Sequence, residues 1–477
     1  SFFSCTSAYW LYNSECGLDG SGCSPFAADV PVAFRCPAHC AKTTLGQARA
    51  VGDELPAFVP LVVGGQVDAS GSRVYRGDSF VCSAAQHAGV IDANRGGCGA
   101  LWLSGTSSTY ESVERNGIRS IAFNSTFPVS FTFDETARGT GCDDSRAGGY
   151  ALNVLLLALV GFVLRPKRIV YFFTLVCVGF WHLNFVAEPR RFPPTVGGPA
   201  GDFLPTLFGA YVIWRVAVRY VWPAFALLPL EREVWTQGFF WLGTLLDVVF
   251  VDVPLQRLVL SDITGQPGAL TSLIVIVVVV LVLAINQVRV IRKVGALPKY
   301  LALAAVGGLL IGLLSAVPTT GLRLHHYIIA LVLVCFCAFP TRLSLAYCAF
   351  LLGMYIAGVG RWGFDGVIQN TAEIVGQGVY GTGLPSFLAP ENFTAAALQV
   401  HWNDLPQQEA GEVAWDGFQL LVDDVLRYIG PATSYNLTSL LDPREYYLRL
   451  AYSASGLSGD FTRAAVAFFN GTLIPAP

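Results

Sequence analysis

Twelve cysteines are the residues of this 477-residue chain with the most evident chemistry, and most of them lie near its start. Cys36-Pro-Ala-His-Cys40 could offer two thiolates to zinc, but no second pair follows at the spacing of a zinc finger. An even number of cysteines in a polar segment instead predicts four disulfides, formed in an oxidising compartment. The eight cysteines that precede residue 147 are Cys5, Cys16, Cys23, Cys36, Cys40, Cys82, Cys98 and Cys142.

Other residues that could act in catalysis lack the partners that catalysis needs. His87 lies among small residues without a nucleophile motif, so we expect a histidine that is hydrogen-bonded inside a core. Asp423 and Asp424 are adjacent, and on a helix they would diverge by about 100° rather than form a carboxylate pair. The sequence contains no EF-hand loop, HExxH, GxSxG or P-loop pattern. We therefore expect no catalytic residue, no metal, no cofactor and no enzymatic activity.

The composition excludes several classes of protein. Apolar residues make up 53% of the chain and charged residues only 13%, against about 25% charged in typical soluble domains. This composition excludes disorder, and the net charge of −3 gives no electrostatic reason to bind nucleic acid. The apolar residues concentrate in residues 147–360. We therefore expect a disulfide-rich ectodomain at 1–146, a transmembrane domain at 147–360 and a second ectodomain at 361–477.

The middle domain contains eight apolar segments, each near the length that spans a bilayer. They cover about 148–164, 169–187, 203–222, 234–251, 268–288, 300–318, 325–339 and 343–360. The fourth segment is doubtful because it contains Asp247, and the alternative is an amphipathic helix in the interface, which leaves seven spans. With eight spans the basic cluster at 289–299 lies in the cytosol, as the positive-inside rule favours.

Glycosylation sequons lie on both sides of this domain, at Asn124, Asn392, Asn436 and Asn470. They indicate that both ectodomains are lumenal or extracellular, in the secretory and endomembrane system or the plasma membrane, and that the number of crossings is even. The chain starts at Ser1 without a charged-then-apolar leader, so we expect a preceding segment that was lost or cleaved.

Polar residues within or near the apolar segments are hypotheses for function, because such groups pair with each other or line a pathway. Arg215 or Arg219 is the expected partner of Asp247. Gly308 and Gly312 form a GxxxG pattern, for which packing inside this protein is expected over dimerisation. The possible intramembrane polar residues are Arg215, Arg219, Asp247, His325 and His326, with His182, Asn184 and Asn286 near the segment ends.

The polar N-terminal region predicts a small α+β domain around one helix. Residues 79–88 are small or apolar and suit a short buried helix that Gly89 can end. Strand-like runs surround it at 57–63, 100–104, 118–123 and 129–133. The motif that identifies this region comprises Tyr75, Ser79, Cys82, Ala84, Ala85, His87, Gly89, Val90 and Ile91.

With Cys36-Pro-x-x-Cys40 upstream and Ser112 to Ser120 downstream, residues 23–135 resemble the LCCL domain. The whole chain is similar to fungal polytopic membrane proteins that carry this domain. The resemblance implies an extracellular module that binds lipids, polysaccharides or proteins. It also implies the disulfides Cys23–Cys36 and Cys40–Cys82, with Cys16 as an alternative partner of Cys36. Proximity then leaves Cys98–Cys142 and Cys5–Cys16, although eight cysteines allow 105 pairings.

The C-terminal region carries twelve acidic and five basic residues, a net charge of −7. Residues 411–428 read as a helix with one apolar face. Asp442 can cap a second helix that Pro443 opens and that continues through Tyr446 and Tyr452. We therefore expect a mostly helical C-terminal ectodomain.

The sequence as a whole predicts a non-enzymatic integral membrane glycoprotein whose LCCL-like ectodomain binds a lipid, glycan or protein partner. One alternative is a transporter or lipid scramblase built on the membrane bundle. The other is a structural subunit of a larger membrane complex. Membrane lipids and partner subunits are the expected contacts, and nucleic acid is not.

Overall fold

The computed structural model describes fifteen stretches of the chain. They are residues 2–10, 30–46, 48–68, 71–134, 142–187, 189–190, 194–255, 260–317, 320–322, 325–370, 383–388, 399–407, 414–437, 444–468 and 472–475. Cys16, Cys23, Asn392 and Asn470 lie outside the described residues. The chain forms two compact units: residues 1–144 together with 370–477, here called the head, and residues 145–369, here called the helical unit.

In its described residues, the N-terminal part of the head contains a five-stranded antiparallel sheet that packs against a short α-helix. The sheet order is β1-β4-β7-β3-β2, so the two longest strands lie at its centre. Phe131 and Leu101 from these strands pack with Tyr75 and with the buried helix in one core. The elements are β1 Val32–Cys36, β2 Gly64–Val67, β3 Arg73–Arg76, α1 Val81–Ala88, β4 Gly97–Tyr110, β5 Glu114–Arg115, β6 Ile118–Arg119 and β7 Phe123–Phe133.

The helical unit contains a helix in each of the eight segments expected to span a membrane. Among the described residues, five helices are long and apolar enough to cross one: Arg146–Leu164, Arg168–Ala187, Ala269–Lys293, Leu297–Ser315 and Arg342–Trp362. The helices of the third, fourth and seventh segments do not meet these criteria of length and apolarity. The helix in the seventh segment, His326–Val334, has only nine residues. The number eight is therefore not established by helix length and composition.

The helices of this unit include short π-helical stretches. The elements are α2 Arg146–Ala158, α3 Arg168–His182, α4 Gly197–Ile213, α5 Arg219–Val221, α6 Pro229–Thr244, α7 Leu246–Val249, α8 Leu260–Gly265, α9 Ala269–Lys293, α10 Leu297–Ser315, α11 His326–Val334 and α12 Arg342–Trp362. The π-helical stretches Leu159–Leu164, Leu183–Ala187 and Trp214–Val218 extend α2, α3 and α4. Two short strands, β8 Thr320–Leu322 and β9 Ile368–Asn370, pair with each other.

Glycines set the closest helix crossing, between α6 and α12. A Cβ on Gly353 would collide with the Phe240 carbonyl oxygen, and one on Gly243 with the Phe350 carbonyl oxygen. Gly308 and Gly312 behave differently, because a Cβ on either would meet nothing within 4 Å among the described atoms. The expectation that the GxxxG pattern packs inside this protein is therefore wrong for the described unit, in which α9 and α10 expose most of their aliphatic side chains.

The C-terminal part of the head is a β-sheet, so the expected helical ectodomain is wrong. The sheet order is β12-β11-β14-β16-β17, with β15 paired to β14. The strands are β10 Gln399–His401, β11 Gly417–Val422, β12 Val425–Gly430, β13 Ser434–Asn436, β14 Tyr446–Ala454, β15 Leu457–Ser458, β16 Ala465–Ala467 and β17 Leu473–Ile474. β10 pairs with β13 in a separate two-stranded sheet.

The expected helix over 411–428 is a β-hairpin in its described part. Val422 pairs with Val425, so Asp423 and Asp424 form a two-residue turn, with φ of 50° and 65°. Positive φ at both central residues is the type I′ geometry of tight hairpins, which Asp tolerates. All six residues of β11 and all nine of β14 are buried, so apolar periodicity could not distinguish these strands from helices.

Gly353→Leu should lower the thermal unfolding temperature of the detergent-purified protein by several degrees, because the new side chain forces α6 and α12 apart. Overpacking of a soluble core costs about 1–3 kcal/mol, and backbone contact places this site at the upper end. Gly312→Leu is the matched control, since its Cβ enters open space. Equal melting temperatures for the two variants would contradict the packing described here.

Candidate functional site

The histidine of the N-terminal motif is a fully hydrogen-bonded core residue. His87 lies in α1 and is buried, with Nε2 3.0 Å from the Val113 carbonyl oxygen and Nδ1 2.7 Å from the Tyr75 hydroxyl. A carbonyl can only accept, so Nε2 carries the proton and Nδ1 accepts from Tyr75. Burial lowers the pKa of His87, which keeps the ring neutral. These contacts position the ring within the core and leave no lone pair for acid–base catalysis.

The remaining motif residues also build the core rather than an exposed surface. The Ser79 hydroxyl accepts a hydrogen bond of 3.0 Å from the Val63 amide. Gly89, with φ of 81°, ends α1 in the left-handed conformation, and the Asn116 side-chain amide donates to the last carbonyls of the helix. The other motif positions are buried as well: Tyr75, Cys82, Ala84, Ala85, Val90 and Ile91.

Three disulfides are described in the head, and two of them differ from expectation. Cys5 pairs with Cys40, Cys36 with Cys82, and Cys98 with Cys142. The pairings Cys23–Cys36, Cys40–Cys82 and Cys5–Cys16 are therefore wrong. The N-terminal segment runs beside β1 and α1, with Phe3 N donating to Arg35 O and Val81 N to Ser7 O, each at 2.9 Å. This route brings Cys5 to Cys40, which sequence spacing could not show.

Arg76, at the end of β3, is a fully buried arginine of the head. Its guanidinium contacts both carboxylate oxygens of Asp78 at 2.8 Å and one oxygen of Asp424 at 2.8 Å. It also lies over the Phe127 ring at 4.5 Å. Burial opposes the charged form, but the two carboxylates outweigh that effect and raise the pKa of Arg76. The side chain therefore remains a cation inside the protein.

Asp424 joins the two parts of the head, because it lies 348 residues after Arg76. The same carboxylate oxygen accepts from the Gly52 amide at 2.7 Å and from the Ser125 hydroxyl at 2.9 Å. Thus the turn between β11 and β12 inserts a charge into the N-terminal module. Charge-assisted bonds of this kind are stronger than neutral ones.

Arg449 of β14 makes a second set of bonds to the N-terminal module. Its Nη2 donates to the carbonyl oxygens of Gly52 and Glu54 at 2.9 and 2.8 Å, and its Nη1 donates to Thr462 at 3.1 Å. Burial lowers the pKa of Arg449, with Asp424 acting in the opposite direction. Residues 52–54 are therefore held by β14 and by the Asp424 turn. We call Arg76, Asp78, Asp424 and Arg449 the junction.

The neighbouring Asp423 has hydrogen-bond and ion-pair partners of its own. Its carboxylate accepts from the Tyr447 amide at 3.1 Å and pairs with the Arg444 guanidinium at 2.6 Å. Burial outweighs these favourable contacts and raises the pKa of Asp423 to about 6. The sequence pattern predicted a helix at Asp423 and Asp424 without a carboxylate pair, and it predicted no role for Arg76. Two adjacent Asp residues between two apolar runs could have predicted the β-hairpin, because Asp suits a hairpin turn.

The polar residues of the helical unit pair differently from expectation. Asp247 pairs with Arg361 at 2.8 Å, so the expected partner Arg215 or Arg219 is wrong. Each of those arginines instead lies against a neighbouring tyrosine, Tyr211 and Tyr220. Arg215 and Arg219 lie in consecutive helical segments after α4. Arg361 lies in the last turn of α12, so its pairing with Asp247 depends on how the helices pack and not on sequence spacing.

The remaining candidate residues are placed as follows. His325 Nε2 lies 3.8 Å from Asp365, and the His326 ring packs edge-on against Trp362 at 5.6 Å. Asn124 and Asn436 are exposed. In the part of the chain that the structure describes, no cluster of three or more His, Cys, Asp or Glu side chains could hold a metal ion.

Comparison with known proteins places these observations in a family. The LCCL domain family matches residues 17–129. Uncharacterized protein YIL067C of Saccharomyces cerevisiae is 32% identical over 503 residues, which cover 95% of this chain and 72% of that protein. No solved structure matches the chain.

Asp424→Asn should destabilise the head, because it leaves the buried Arg76 with one fewer counter-charge. Removing one partner of a buried ion pair typically costs about 3–5 kcal/mol. Asn tolerates positive φ, so this change keeps the hairpin turn and removes only the charge. Limited proteolysis should cut the head of the variant faster. Asp404→Asn, at an exposed position, is the control, and equal cleavage of the two variants would contradict a stabilising junction.

Asp423 should make the stability of the head depend on mildly acidic pH. Its folded pKa of about 6 exceeds the ordinary aspartate value of 3.8, so the folded head binds the extra proton between these pH values. The free energy of unfolding should therefore fall as pH rises from about 4 to about 6, by up to about 1.4 kcal/mol per pH unit, relative to Asp423→Asn. Melting curves across that range measure this difference, and parallel pH profiles would contradict it.

Proposed function

The chain belongs to the family of the yeast protein YIL067C and carries an LCCL domain, and from this premise we propose a non-enzymatic integral membrane glycoprotein whose head binds a lipid, glycan or protein partner. LCCL domains are a family of binding modules. The helical unit anchors the head, and the head is the binding part. The observation that carries this proposal is the LCCL domain at residues 17–129, and the Arg76–Asp424 ion pair joins two distant segments into the head that contains it.

The junction supports an even number of membrane crossings. The head contains residues from both sides of the helical unit in the sequence, and its two parts share buried charges. A folded unit of this kind forms on one side of a bilayer, so the chain between its parts leaves that side and returns. Eight crossings satisfy this condition, and seven do not. α6 and α7, which contain Asp247, then form the fourth crossing.

The chemistry of the head supports a lumenal or extracellular location. Disulfides persist in oxidising compartments, and the head contains three in its described part. Two sequons lie at exposed positions, Asn124 in the LCCL domain and Asn436 in β13. N-glycans are attached in the lumen of the secretory pathway, so both parts of the head can carry them.

An exposed polar stretch of the LCCL domain is the proposed ligand surface. The motif residues are buried and cannot contact a partner. The outer half of β4 and the following loop contain exposed polar residues instead, namely Ser104, Thr106, Ser108 and Glu111, and Arg119 of β6 is exposed as well. Hydroxyls and charges on a disulfide-stabilised sheet can hydrogen-bond a polar ligand without a large ordering cost.

Glycosylation mapping tests the topology. Asn124→Gln and Asn436→Gln should each remove one glycan, seen as a loss of one mobility shift after peptide-N-glycosidase treatment of the full chain. The double variant should lose two shifts relative to the wild type. If Asn124 carries a glycan while Asn436, Asn392 and Asn470 never do, the C-terminal part is cytosolic and the shared-side topology is wrong.

Ligand screening tests the binding role. The full chain in nanodiscs should bind at least one probe among a glycan array, liposomes of defined lipid composition, and proximity-labelled proteins. Ser108→Arg should weaken that binding by about tenfold, because it adds a bulky charge to the proposed surface. Gln407→Arg, at an exposed position of the C-terminal part, is the control. No binding to any of the three probe classes, or equal loss in both variants, would contradict the proposal.

A further inference from the structure

The connection between α9 and α10 carries four exposed cations, which we call the basic turn. Arg289, Arg292 and Lys293 lie in the last two turns of α9, and Lys299 lies in the first turn of α10. Among the described residues none of the four pairs with a carboxylate. The first turn of α10 also contains no acidic residue that could offset them. The basic turn is therefore a surface of one sign of charge.

Side-chain contacts fix the basic turn at one end of the helical unit. The Gln287 amide donates to the Phe336 carbonyl oxygen at 2.7 Å and to the Ser344 hydroxyl of α12 at 3.2 Å. The Tyr300 ring packs against the rings of Phe336 and Phe339, with centroids 5.6 Å apart in each pair. Tyrosine is enriched at the membrane–water interface. The basic turn therefore has a defined place beside the start of α12.

Three of the cations lie on the face of α9 that points away from the other helices. Gln287 and Ile291 of the same turns are buried. At about 100° per residue, Arg289 lies about 200° around the axis from Gln287. Arg292 and Lys293 lie on either side of Arg289. In the preceding turns the same face carries exposed aliphatic side chains, among them those of Val278, Val282 and Ile285.

This arrangement of charge is unfavourable for the helices themselves. Arg289 precedes Arg292 by three residues and Lys293 by four, and like charges at these spacings destabilise a helix. Lys299 lies near the N-terminus of α10, where the helix dipole disfavours a cation. Glu231, the carboxylate beside the start of α12, already pairs with an arginine there. An anion from outside the protein would remove this repulsion.

The lengths and exposure of the two helices give the depth of the basic turn. α9 has 25 residues and is about 37 Å long, whereas the apolar core of a bilayer is about 30 Å thick. α9 and α10 expose aliphatic side chains along their lengths, so lipid tails surround them in a membrane. Their linked ends then lie at the level of the lipid headgroups. In the proposed topology this is the cytosolic leaflet, which contains anionic lipids.

We propose that the basic turn binds the headgroup of an anionic phospholipid in the cytosolic leaflet. The guanidinium groups of Arg289 and Arg292 suit the phosphate oxygens, and Lys293 and Lys299 add positive charge. The acyl chains lie along the aliphatic face of α9. Clusters of about four to eight Lys and Arg directly cytosolic of a transmembrane helix are typical of this binding. The inference rests on the membrane topology proposed above and does not depend on what the head binds.

Binding of short-chain lipids to the full chain in neutral detergent tests the site. Microscale thermophoresis compares phosphatidylserine and phosphatidylinositol bisphosphate with phosphatidylcholine of the same chain length. The two anionic lipids should bind about tenfold more tightly than phosphatidylcholine, or better, and added salt should weaken their binding. Inorganic phosphate and glycerophosphoserine, which lacks acyl chains, are the arms for a free anion and should bind more weakly than phosphatidylserine.

Two double variants with the same change of charge test the residues. Arg292→Gln with Lys293→Gln should weaken binding of the anionic lipids about 25-fold, because each cation near a headgroup contributes about fivefold. Lys167→Gln with Arg168→Gln changes two exposed cations before α3 and is the matched control, with an expected change of less than about twofold. Lys299→Gln alone, in the other helix, should weaken binding about fivefold, which guards against misfolding of the first variant.

The outcomes separate this inference from the proposed function. Equal binding of phosphatidylcholine and the anionic lipids, or equal losses in the two double variants, would overturn the proposal. Binding of either free anion as tightly as phosphatidylserine would indicate a site for soluble anions and overturn it as well. Glycosylation and ligand binding of the head are measured on the same preparations. If these persist while no anionic lipid is preferred, the inference fails and the proposed function stands.

Discussion

The head depends on one buried cation, the Arg76 guanidinium, and on the two carboxylates that neutralise it. Asp78 follows Arg76 by two residues, but Asp424 lies in a turn 348 residues later in the chain. Transfer of a lone charge into a protein interior costs several kcal/mol, so neither part of the head reaches its final packing alone. This requirement couples two segments that the helical unit separates in sequence.

The residues of the LCCL motif build the core of the N-terminal module. The motif residues fill the space around α1, where His87 bonds Tyr75 and Val113, and they make the module rigid. The disulfides Cys5–Cys40 and Cys36–Cys82 fasten the N-terminal segment, β1 and α1 to each other. The module is thereby rigid, so the ligand binding proposed above would cost little ordering entropy.

The helices of the helical unit differ in how much of their surface packs against other helices. α12 is buried along most of its length and crosses α6 at Gly243 and Gly353, where backbone meets backbone. α9 and α10 contact the other helices mainly at their linked ends, through Gln287 and Tyr300, and expose aliphatic side chains elsewhere. An apolar surface of this extent in water would drive association, whereas lipid tails solvate it. The exposed helices are consistent with the membrane location proposed above.

The sequence by itself determined the features that composition and local pattern encode. Apolar runs located the helices, even cysteine numbers indicated disulfides, and the spacing around His87 identified the LCCL domain and its buried helix. Tertiary structure decided the rest. Strands β11 and β14 are buried on both faces, so their apolar runs carry no period that separates strand from helix. Asp424, Arg361 and Cys5 lie far in sequence from their respective partners Arg76, Asp247 and Cys40. Only packing brings them within reach, because charge and thiol pairing depend on distance in space rather than along the chain.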